Sequence, residues 1–264
     1  MISTLLFDKE SCAELGLGEV GEARPYKTCM VLGHVCDMDG KKESKSKGNY
    51  TSPDLVMTGR VRQQVVPDTR LTPGQLGLKE AQVRALDLGA EDRFTATGPE
   101  GQSMALEVVV CEVKGKDIMG MHPQDIAALG LAPEKDGATR VNLKAPFEPP
   151  GADAFRWLFT SSIPPWNNTR LSLRAIREGQ RDFLMRLKNV HHFFTIYANI
   201  AGFDPNAPAA RAPKDRGLLD RWILHELNTV NAQVIAALDD YLLYDAAQAL
   251  RGFVESLSNW YVRR

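Results

Sequence analysis

Lysine, serine and glycine alternate in the segment from Lys42 to Asn49, and these residue types are suited to binding phosphate groups. A lysine ammonium is a mobile positive charge with three donors, while serine hydroxyls and glycine-exposed backbone amides add neutral donors. A flexible loop of this composition can hold a polyphosphate while negative charge develops on it. A short run of lysine and serine is more commonly a solvated surface loop, so composition alone does not identify a phosphate-binding loop. The order of the residues has to distinguish the two.

The residues before this segment predict how it is positioned. The apolar run from Thr28 to Cys36 predicts a buried strand, and Asp37 to Gly40 predicts a tight turn directly after it. His34 lies beside this strand, and we expect it to be a core or cleft residue. The apolar stretch from Ile2 to Phe7 is helix-like. Strand, turn and loop together would present the lysines at the end of a rigid element.

The order of residues from Lys42 to Asn49 resembles the K-M-S-K-S signature loop of class I aminoacyl-tRNA synthetases, in the longer form K-M-S-K-S-K-G-N. One position departs, because Glu43 stands where that family has methionine. Later segments resemble the isoleucyl branch of the family in the same order: Gly151–Trp157 (G-A-D-A-F-R-W), Ser161–Trp166 (S-S-I-P-P-W), Leu219–Leu224 and Ser258–Arg264. The last segment is typical of the isoleucine branch rather than of its valine and leucine relatives. We call Lys42–Asn49 the signature loop.

The resemblance implies an ATP-dependent isoleucine–tRNA ligase, in which isoleucine attacks the α-phosphate of ATP and pyrophosphate leaves. Lys45 would contact the leaving phosphates, and Lys42, Ser44 and Ser46 would add charge and hydroxyl donors. The implied substrates and partners are ATP with its Mg²⁺, isoleucine and tRNA(Ile), in a cytoplasmic and monomeric enzyme. Glu43 would point outward and pair with Lys41 or Lys47.

The resemblance covers roughly Met1 to Tyr50 and Pro149 to Arg264 and fails between them. It implies the C-terminal part of a Rossmann-type α/β catalytic domain over residues 1–50 and 149–166, followed by an all-α anticodon-binding helix bundle over 167–264. Residues 51–148 then form an insertion of unknown role.

Within the insertion, the pattern predicts a small α+β module. A helix is expected over Leu78 to Leu88, and a second over Pro123 to Leu129, with proline at its start and Gly130 at its end. Strands are expected at Phe94 to Thr97 and Met104 to Val113, around a glycine-rich hairpin turn.

Apolar residues recur at helical spacing after residue 169 and predict the core faces of a bundle. The three stripes are Phe183, Leu187, Val190, Phe194 and Tyr197; Leu219, Ile223, Leu227, Val230, Val234 and Leu238; and Tyr244, Ala247, Leu250, Phe253 and Leu257. Four cations, Arg174, Arg177, Arg181 and Lys188, are either the solvated face of this bundle or contacts to tRNA phosphates. The pair His191 and His192 is expected to be packed or exposed rather than to bind a metal.

Composition excludes several other classes of protein. The chain has 264 residues, 44% hydrophobic and 25% charged, with a net charge of -1, which argues against nonspecific coating of nucleic acid. The four cysteines form no C-x-x-C pair, so no zinc site is predicted. The sequence Gly16–Gly21 fits G-x-G-x-x-G formally, but polar residues precede it and Pro25 follows it, so we interpret it as a surface loop.

Two alternatives stay open at this point. One is a valine- or leucine-specific relative, and the other is a noncatalytic tRNA-binding paralogue, a possibility that Glu43 and the insertion favour. No H-I-G-H signature occurs, although in this family it supplies the other half of the ATP site. Both ends of the chain look cut within apolar helical patterns, so we expect a fragment that is inactive alone.

Overall fold

The structure is a computed structural model that describes residues 9–14, 29–113, 115, 117–204, 206–207 and 211–264. The chain divides into two compact units, Met1–Val31 and Leu32–Arg264. In the first unit the described element is helix α1, Lys9–Glu14. The helix expected at residues 2–7 and the glycine-rich loop expected at residues 16–21 lie outside the described residues.

The strand expected before the signature loop is much shorter than the sequence predicts. Strand β1 is Val35–Cys36, and residues 29–34 have no regular structure. Leu32 is 62% exposed, so this apolar run is not buried. The prediction of a buried strand over residues 28–36 is therefore wrong for its described part before Val35, because no neighbouring strand is available there to pair with it.

Residues after the signature loop form helix α2 (Pro53–Thr58) and then a closed six-stranded barrel. The strands are β2 (Arg60–Pro67), β3 (Gln75–Leu78), β4 (Arg93–Thr97), β5 (Ser103–Val110), β6 (Ile118–Met121) and β7 (Thr139–Lys144). Around the barrel their order is β2-β6-β3-β5-β4-β7. Short helices α3 (Glu80–Ala85) and α4 (Pro123–Ala128) follow β3 and β6.

The barrel encloses an apolar core. Alternate residues of its longer strands are buried, as the two-residue period of a β-strand requires when one face points inward. The inward side chains include Val65, Leu76, Leu78, Phe94, Ala96, Leu106, Met119, Met121, Val141 and Leu143. This core is continuous with buried residues of α2 and of the helices that follow the barrel. The barrel is thus packed into the rest of the second unit.

The barrel is built from two similar halves. Strands β5 and β6 and helix α4 start 43 positions after β2, β3 and α3 (residue 60 to 103, 75 to 118, 80 to 123). The pairing repeats the same symmetry: Gln75 of the first half lies beside Glu107 of the second, and Ile118 of the second half lies beside Gln64 of the first. Both pairs of strands are parallel. The repeat explains why the chain closes into a barrel, since each half supplies the strand that the other needs.

The α+β module expected here is therefore a closed barrel. The predicted hairpin is confirmed, because β4 and β5 pair antiparallel around residues 98–102. The helix predicted at residues 123–129 is also confirmed, with Pro123 at its first turn and Gly130 in the left-handed region just past its end. The other predicted helix is only Glu80–Ala85, since Leu78 belongs to β3.

Helices make up most of the chain after the barrel, as expected. They are α5 (Ala152–Ser161), α6 (Leu173–Gly179), a π-helical segment (Gln180–Met185), α7 (Arg186–Ile200), α8 (Leu218–Asp239), α9 (Leu243–Ser256) and a second π-helical segment (Leu257–Tyr261). The short strand β8 (Thr169–Arg170) interrupts the helical pattern and pairs in parallel with β1. Trp157 stacks on Phe183 with their ring centroids 3.9 Å apart, which joins α5 to the bundle.

The three apolar stripes are only partly buried. Phe183, Ile223, Val230 and Ala247 are buried as predicted. By contrast, Leu187, Phe194, Tyr197, Leu219, Leu227 and Leu238 are exposed, so the prediction that they form core is wrong in this chain. The stripes do lie on helices, but no described element covers these parts of them. Within the described ranges, no helix is both long and apolar enough to cross a membrane.

Candidate functional site: the signature loop

A short hairpin presents the signature loop. The amide of Asp37 donates to the carbonyl of Lys41 at 2.8 Å, and the amide of Glu43 donates to the carbonyl of Val35 at 2.9 Å. Gly40 closes the turn with φ of 80°, a left-handed conformation that glycine adopts without strain. The turn predicted at residues 37–40 is confirmed.

A second attachment fixes the start of this hairpin to the chain that follows α5. The amide of Gly33 donates to the carbonyl of Pro165 at 2.8 Å, and the amide of His34 donates to Oδ1 of Asn168 at the same distance. A Cβ on Gly33 would lie 2.0 Å from the carbonyl oxygen of Asn167, so only glycine fits. His34 itself is exposed, and the expectation of a core or cleft position is wrong.

Asn49 ties the two ends of the loop together. Its Oδ1 accepts from the amide of Ser44 at 2.9 Å, and its Nδ2 donates to Oδ2 of Asp37 at 2.7 Å and to the carbonyl of Lys42 at 3.2 Å. Burial raises the pKa of the Asp37 carboxyl, but hydrogen bonds from Asn49, Lys41 and Asp39 outweigh this and hold the pKa below its usual value. An ionised Asp37 is thus the buried anchor of the loop.

The four residues predicted to bind phosphate follow one another closely: Lys42 ends the hairpin, Ser44 comes next, and Lys45 and Ser46 begin the turn at residues 45–48. Lys42, Lys45 and Ser46 are exposed and Ser44 is half-buried. The hydroxyls of Ser44 and Ser46 are 2.7 Å apart and hydrogen-bonded to each other. Nζ of Lys45 lies 4.9 Å from the centroid of the Tyr50 ring, in cation–π contact. The arrangement offers mobile positive charge and hydroxyl donors to an anionic ligand from solvent.

Gly48 is a buried residue at the end of this turn. Its φ is 72°, and its amide donates to the carbonyls of Ser44 at 3.1 Å and Lys45 at 3.2 Å. A Cβ here would lie 1.8 Å from Nζ of Lys79, which the barrel supplies. The backbone conformation therefore favours glycine here, and any larger side chain would also have to displace the flexible end of Lys79.

Glu43 points inward, which corrects the expectation that it pairs outward with Lys41 or Lys47. Its Oε2 accepts from the amide of Thr51 at 3.3 Å, while its Oε1 is buried and has no hydrogen-bond partner among the described residues. Burial raises the pKa of the Glu43 carboxyl to about 7, although the hydrogen bonds from Thr51 oppose this. The side chain is therefore half-buried, with one carboxylate oxygen enclosed.

The sequence did not single out Asp37 and Asn49 as structural residues of the site. A signal was present, because an aspartate that opens a D-x-D-G turn commonly accepts hydrogen bonds from the backbone two residues on. No sequence pattern predicted the role of the barrel residue Lys79, because its contact is with Gly48, 31 positions earlier in the chain.

A separate cationic cleft lies where the helices meet the end of the barrel segment. Arg174, Arg177, Arg181 and Lys188, the four cations considered in the sequence, all line this one cleft of about 780 Å³. Arg174 pairs with Glu178 at 3.1 Å, and Arg177 donates to the carbonyl of Glu148 at 3.2 Å. In the described part of the chain Arg181 and Lys188 form no ion pair within 4.0 Å. They are the cations best placed to meet an external anion.

The described residues contain no group of three or more His, Cys, Asp or Glu side chains able to hold a metal ion. His191 and His192 are both exposed on α7, one of the two placements expected for them.

Two protein-family models match the chain. One, described as tRNA synthetases class I (I, L, M and V), matches residues 10–171, and the other, described as anticodon-binding domain of tRNA ligase, matches residues 220–264. The first covers more than half of the chain and contains the signature loop.

Similar curated proteins are named isoleucine–tRNA ligase. The chain is 44% identical over 114 residues to isoleucine–tRNA ligase of Clostridium acetobutylicum. This match covers 43% of the chain and 11% of the relative. It is 26% identical over 263 residues to isoleucine–tRNA ligase of Clostridium kluyveri, covering 100% of this chain and 15% of the relative. The chain thus spans only a small part of the length of these relatives.

Among solved structures, the rationally designed mkDPBB_sym1 protein is similar to part of the chain at 20% identity and a TM-score of 0.27. The similarity covers 33% of this chain and 98% of that protein.

Proposed function

The chain belongs to the class I tRNA synthetases of the I, L, M and V group, and we propose that it is part of an isoleucine–tRNA ligase. The observation that carries this proposal is the signature loop, in which Lys42 and Lys45 are exposed and the hydroxyls of Ser44 and Ser46 lie 2.7 Å apart. The similarity to isoleucine–tRNA ligases supports isoleucine as the amino acid, rather than valine or leucine.

The proposed reaction activates isoleucine in the whole protein. The isoleucine carboxylate attacks the α-phosphate of ATP, isoleucyl-adenylate forms, and pyrophosphate leaves with the negative charge of the broken bond. Catalysis of such a step depends on positioning and on stabilisation of that charge. Lys45 would meet the departing phosphates, and Lys42, Ser44 and Ser46 would add contacts. Mg²⁺ belongs to this proposal only as part of the ATP substrate.

The resting position of Lys45 fits this role. Its ammonium lies on the Tyr50 ring rather than in a tight ion pair, and a cation–π contact at an exposed site is worth only about 0.5–1 kcal/mol. A polyphosphate can displace that contact, since charge-assisted hydrogen bonds to phosphate are stronger. The loop can then gain contacts that are strongest in the transition state, which raises the rate rather than only the affinity.

We propose that transfer of the amino acid to tRNA(Ile) uses the helical part of the chain. The match of residues 220–264 to an anticodon-binding domain supports this. The cationic cleft is the surface that we assign to tRNA phosphates, because phosphate contacts by lysine and arginine supply most of the nonspecific affinity of such interfaces.

The experiment that tests the catalytic assignment is a substitution in the whole protein, measured by isoleucine-dependent exchange of pyrophosphate into ATP. Lys45→Ala should lower the exchange rate at least 100-fold, since about 3 kcal/mol of transition-state stabilisation is lost with such a group. Lys47→Ala is the matched control, because Lys47 is an exposed lysine of the same loop without an assigned role. Equal rates for wild type and Lys45→Ala would refute the assignment.

A further inference from the structure

Cationic side chains line a concave part of the outer surface of the inserted barrel. Strand β7 lies between β2 and β4 there, and the three strands line a cavity of about 580 Å³. Arg60, Arg62 and Lys144 bring three positive charges to this cavity, against the single carboxylate of Asp54. The whole chain has a net charge of -1, so the positive excess is local. The three cations and the outward side chains beside them form a surface that we call the barrel face: Arg60, Arg62, Thr95, Thr97, Asn142 and Lys144.

The strand register places two of these cations directly opposite each other. Arg60 on β2 pairs with Lys144 on β7, and both residues are exposed. Like charges directly opposite on a sheet are destabilising, because the Cβ atoms of such a pair are only about 5 Å apart. Among the described residues neither of these two cations is in an ion pair, whereas Arg62 pairs with Glu134 at 2.6 Å. An anionic partner would relieve the repulsion that this part of the chain leaves in place.

Neutral donors accompany the cations in two rows across the barrel face. Lys144 lies beside Thr95 in the first row, and Asn142 lies between Arg62 and Thr97 in the second. Rows two residues apart along a strand are separated by about 7 Å, which is similar to the spacing of successive phosphates along a nucleic-acid strand. A single phosphate ion would use one row, whereas the backbone of an RNA can use both. The face therefore fits an RNA backbone better than a small anion.

The barrel face borders the cationic cleft. Gly59 directly precedes Arg60, and a Cβ on Gly59 would lie 3.4 Å from Cδ of Pro149, which lines the cleft. The amide of Ala145, the residue after Lys144, donates to the carbonyl of Gly59 at 2.8 Å. Both surfaces thus reach the same junction, where one extended polyanion can contact both.

We infer that the inserted barrel is a second tRNA-binding surface, on which Arg60 and Lys144 neutralise backbone phosphates of the same tRNA that occupies the cationic cleft. The hydroxyl and amide donors of the barrel face add contacts to those phosphates. Phosphate contacts fix the position of a nucleic acid without reading its sequence, so the barrel orients the tRNA and does not select it. The inference rests on the proposed function for the identity of the RNA.

The first test is binding of tRNA(Ile) to the whole protein, titrated at several salt concentrations. Arg60→Ala combined with Lys144→Ala should weaken binding about tenfold and lower the slope of log affinity against log salt by about 2, one for each phosphate released. Arg84→Ala combined with Arg93→Ala is the matched control. It removes the same charge from the barrel, but from cations already paired with Asp39 at 2.9 Å and with Glu107 at 3.4 Å.

The control should change neither the affinity nor the salt slope. Equal losses in the two double variants would mean that net charge alone matters, and an unchanged slope without Arg60 and Lys144 would mean that they touch no phosphate. Either result would overturn the inference.

The second test separates binding from damage to the fold. Arg60→Lys combined with Lys144→Arg exchanges the two side chains and keeps both charges, so it should retain most of the tRNA affinity and the full salt slope. The alanine double variant should raise the KM for tRNA in aminoacylation while leaving tRNA-independent ATP–pyrophosphate exchange unchanged. A charge-preserving variant that binds tRNA as weakly as the alanine variant would overturn the role of these charges.

The outcomes distinguish this inference from the proposed function. If tRNA binding depends on Arg60 and Lys144 but the whole protein shows no amino-acid-dependent exchange, the barrel face stands as an RNA surface and the ligase assignment fails. If exchange depends on isoleucine and on Lys45 but tRNA binding does not respond to the barrel face, the ligase assignment stands and the inference fails.

Discussion

Gly77 pairs with Gly120 where the two halves of the barrel meet, one glycine from each half at the same position in the repeat. A Cβ on Gly77 would lie 2.3 Å from Sγ of Cys111 and 3.2 Å from Cδ1 of Leu71. Cys111 and Leu71 thus leave no room for a side chain on Gly77. The glycine pair lies in the wall of the barrel, between residues whose side chains point into its core.

Gly77→Ala should destabilise the chain by about 1–3 kcal/mol, the usual cost of forcing an extra carbon into a packed core. Thermal unfolding followed by circular dichroism measures the effect. Gly252→Ala is the matched control, because a Cβ on Gly252, in helix α9, meets nothing within 4 Å. The control should be neutral or stabilising by about 0.5–1 kcal/mol, since alanine is the better helix former. Equal loss in both variants would show that the glycine pair is not closely packed.

Glu43 gives the signature loop a pH-dependent stability. Its carboxyl has a pKa of about 7 in the folded chain against an ordinary value of 4.5, so the folded state holds the proton more tightly. The contribution of this group is therefore most favourable at low pH and declines as the pH rises from about 4.5 to about 7. Above pH 7 the ionised carboxylate is retained at a cost to folding.

Glu43→Gln should consequently stabilise the chain at pH 8 by roughly 1 kcal/mol, allowing for partial exposure, and have little effect at pH 5. Denaturant unfolding at the two pH values measures this difference. Glu80→Gln, at an exposed carboxylate on α3, is the control and should change stability by less than about 0.5 kcal/mol at both. A stabilisation that is the same at pH 5 and pH 8 would mean that Glu43 is not protonated in the fold.

The position of Glu43 also bears on activity. Because the side chain is directed inward, Glu43→Met restores the apolar packing of the family without touching the exposed lysines. We expect exchange activity in the whole protein to be similar or higher. A severe loss would show that the carboxylate has acquired a role in the reaction.

The cationic cleft makes a prediction about tRNA. Replacing Arg181 and Lys188 together by alanine should weaken tRNA binding and lower the slope of log affinity against log salt by about 1 for each phosphate that these side chains neutralise. Titrations at several salt concentrations measure both quantities. Arg93→Ala, a cation of the barrel outside this cleft, should change neither. An unchanged salt slope in the double variant would remove the cleft from the tRNA surface.

Local patterns predicted the parts of the fold that local interactions decide. The turn at Asp37, the hairpin between β4 and β5 and the start of α4 at Pro123 all follow from turn and capping residues. The barrel could not be found in this way, since β2 pairs with β7, which is far along the chain. The repeat between its halves was the available signal: Leu76-Gly77-Leu78 recurs as Met119-Gly120-Met121.

The candidate site likewise has features that local sequence predicts and features that it does not. The order of residues in the signature loop identified the phosphate-binding candidates, because type and spacing alone define them. It did not predict that Glu43 turns inward, since that depends on a hydrogen bond from Thr51, which lies beyond the loop. Nor could it place Lys79 against Gly48, because the barrel supplies that side chain. Contacts from outside the loop decide both.

The most direct test of the ligase assignment is the amino-acid dependence of ATP–pyrophosphate exchange by the whole protein, with isoleucine, valine, leucine or no amino acid. We predict that, at equal amino-acid concentrations, exchange is fastest with isoleucine. Without an amino acid we predict no exchange. A preference for valine or leucine would contradict the assigned specificity. Binding of tRNA without exchange for any amino acid would identify a noncatalytic tRNA-binding protein and contradict the ligase assignment altogether.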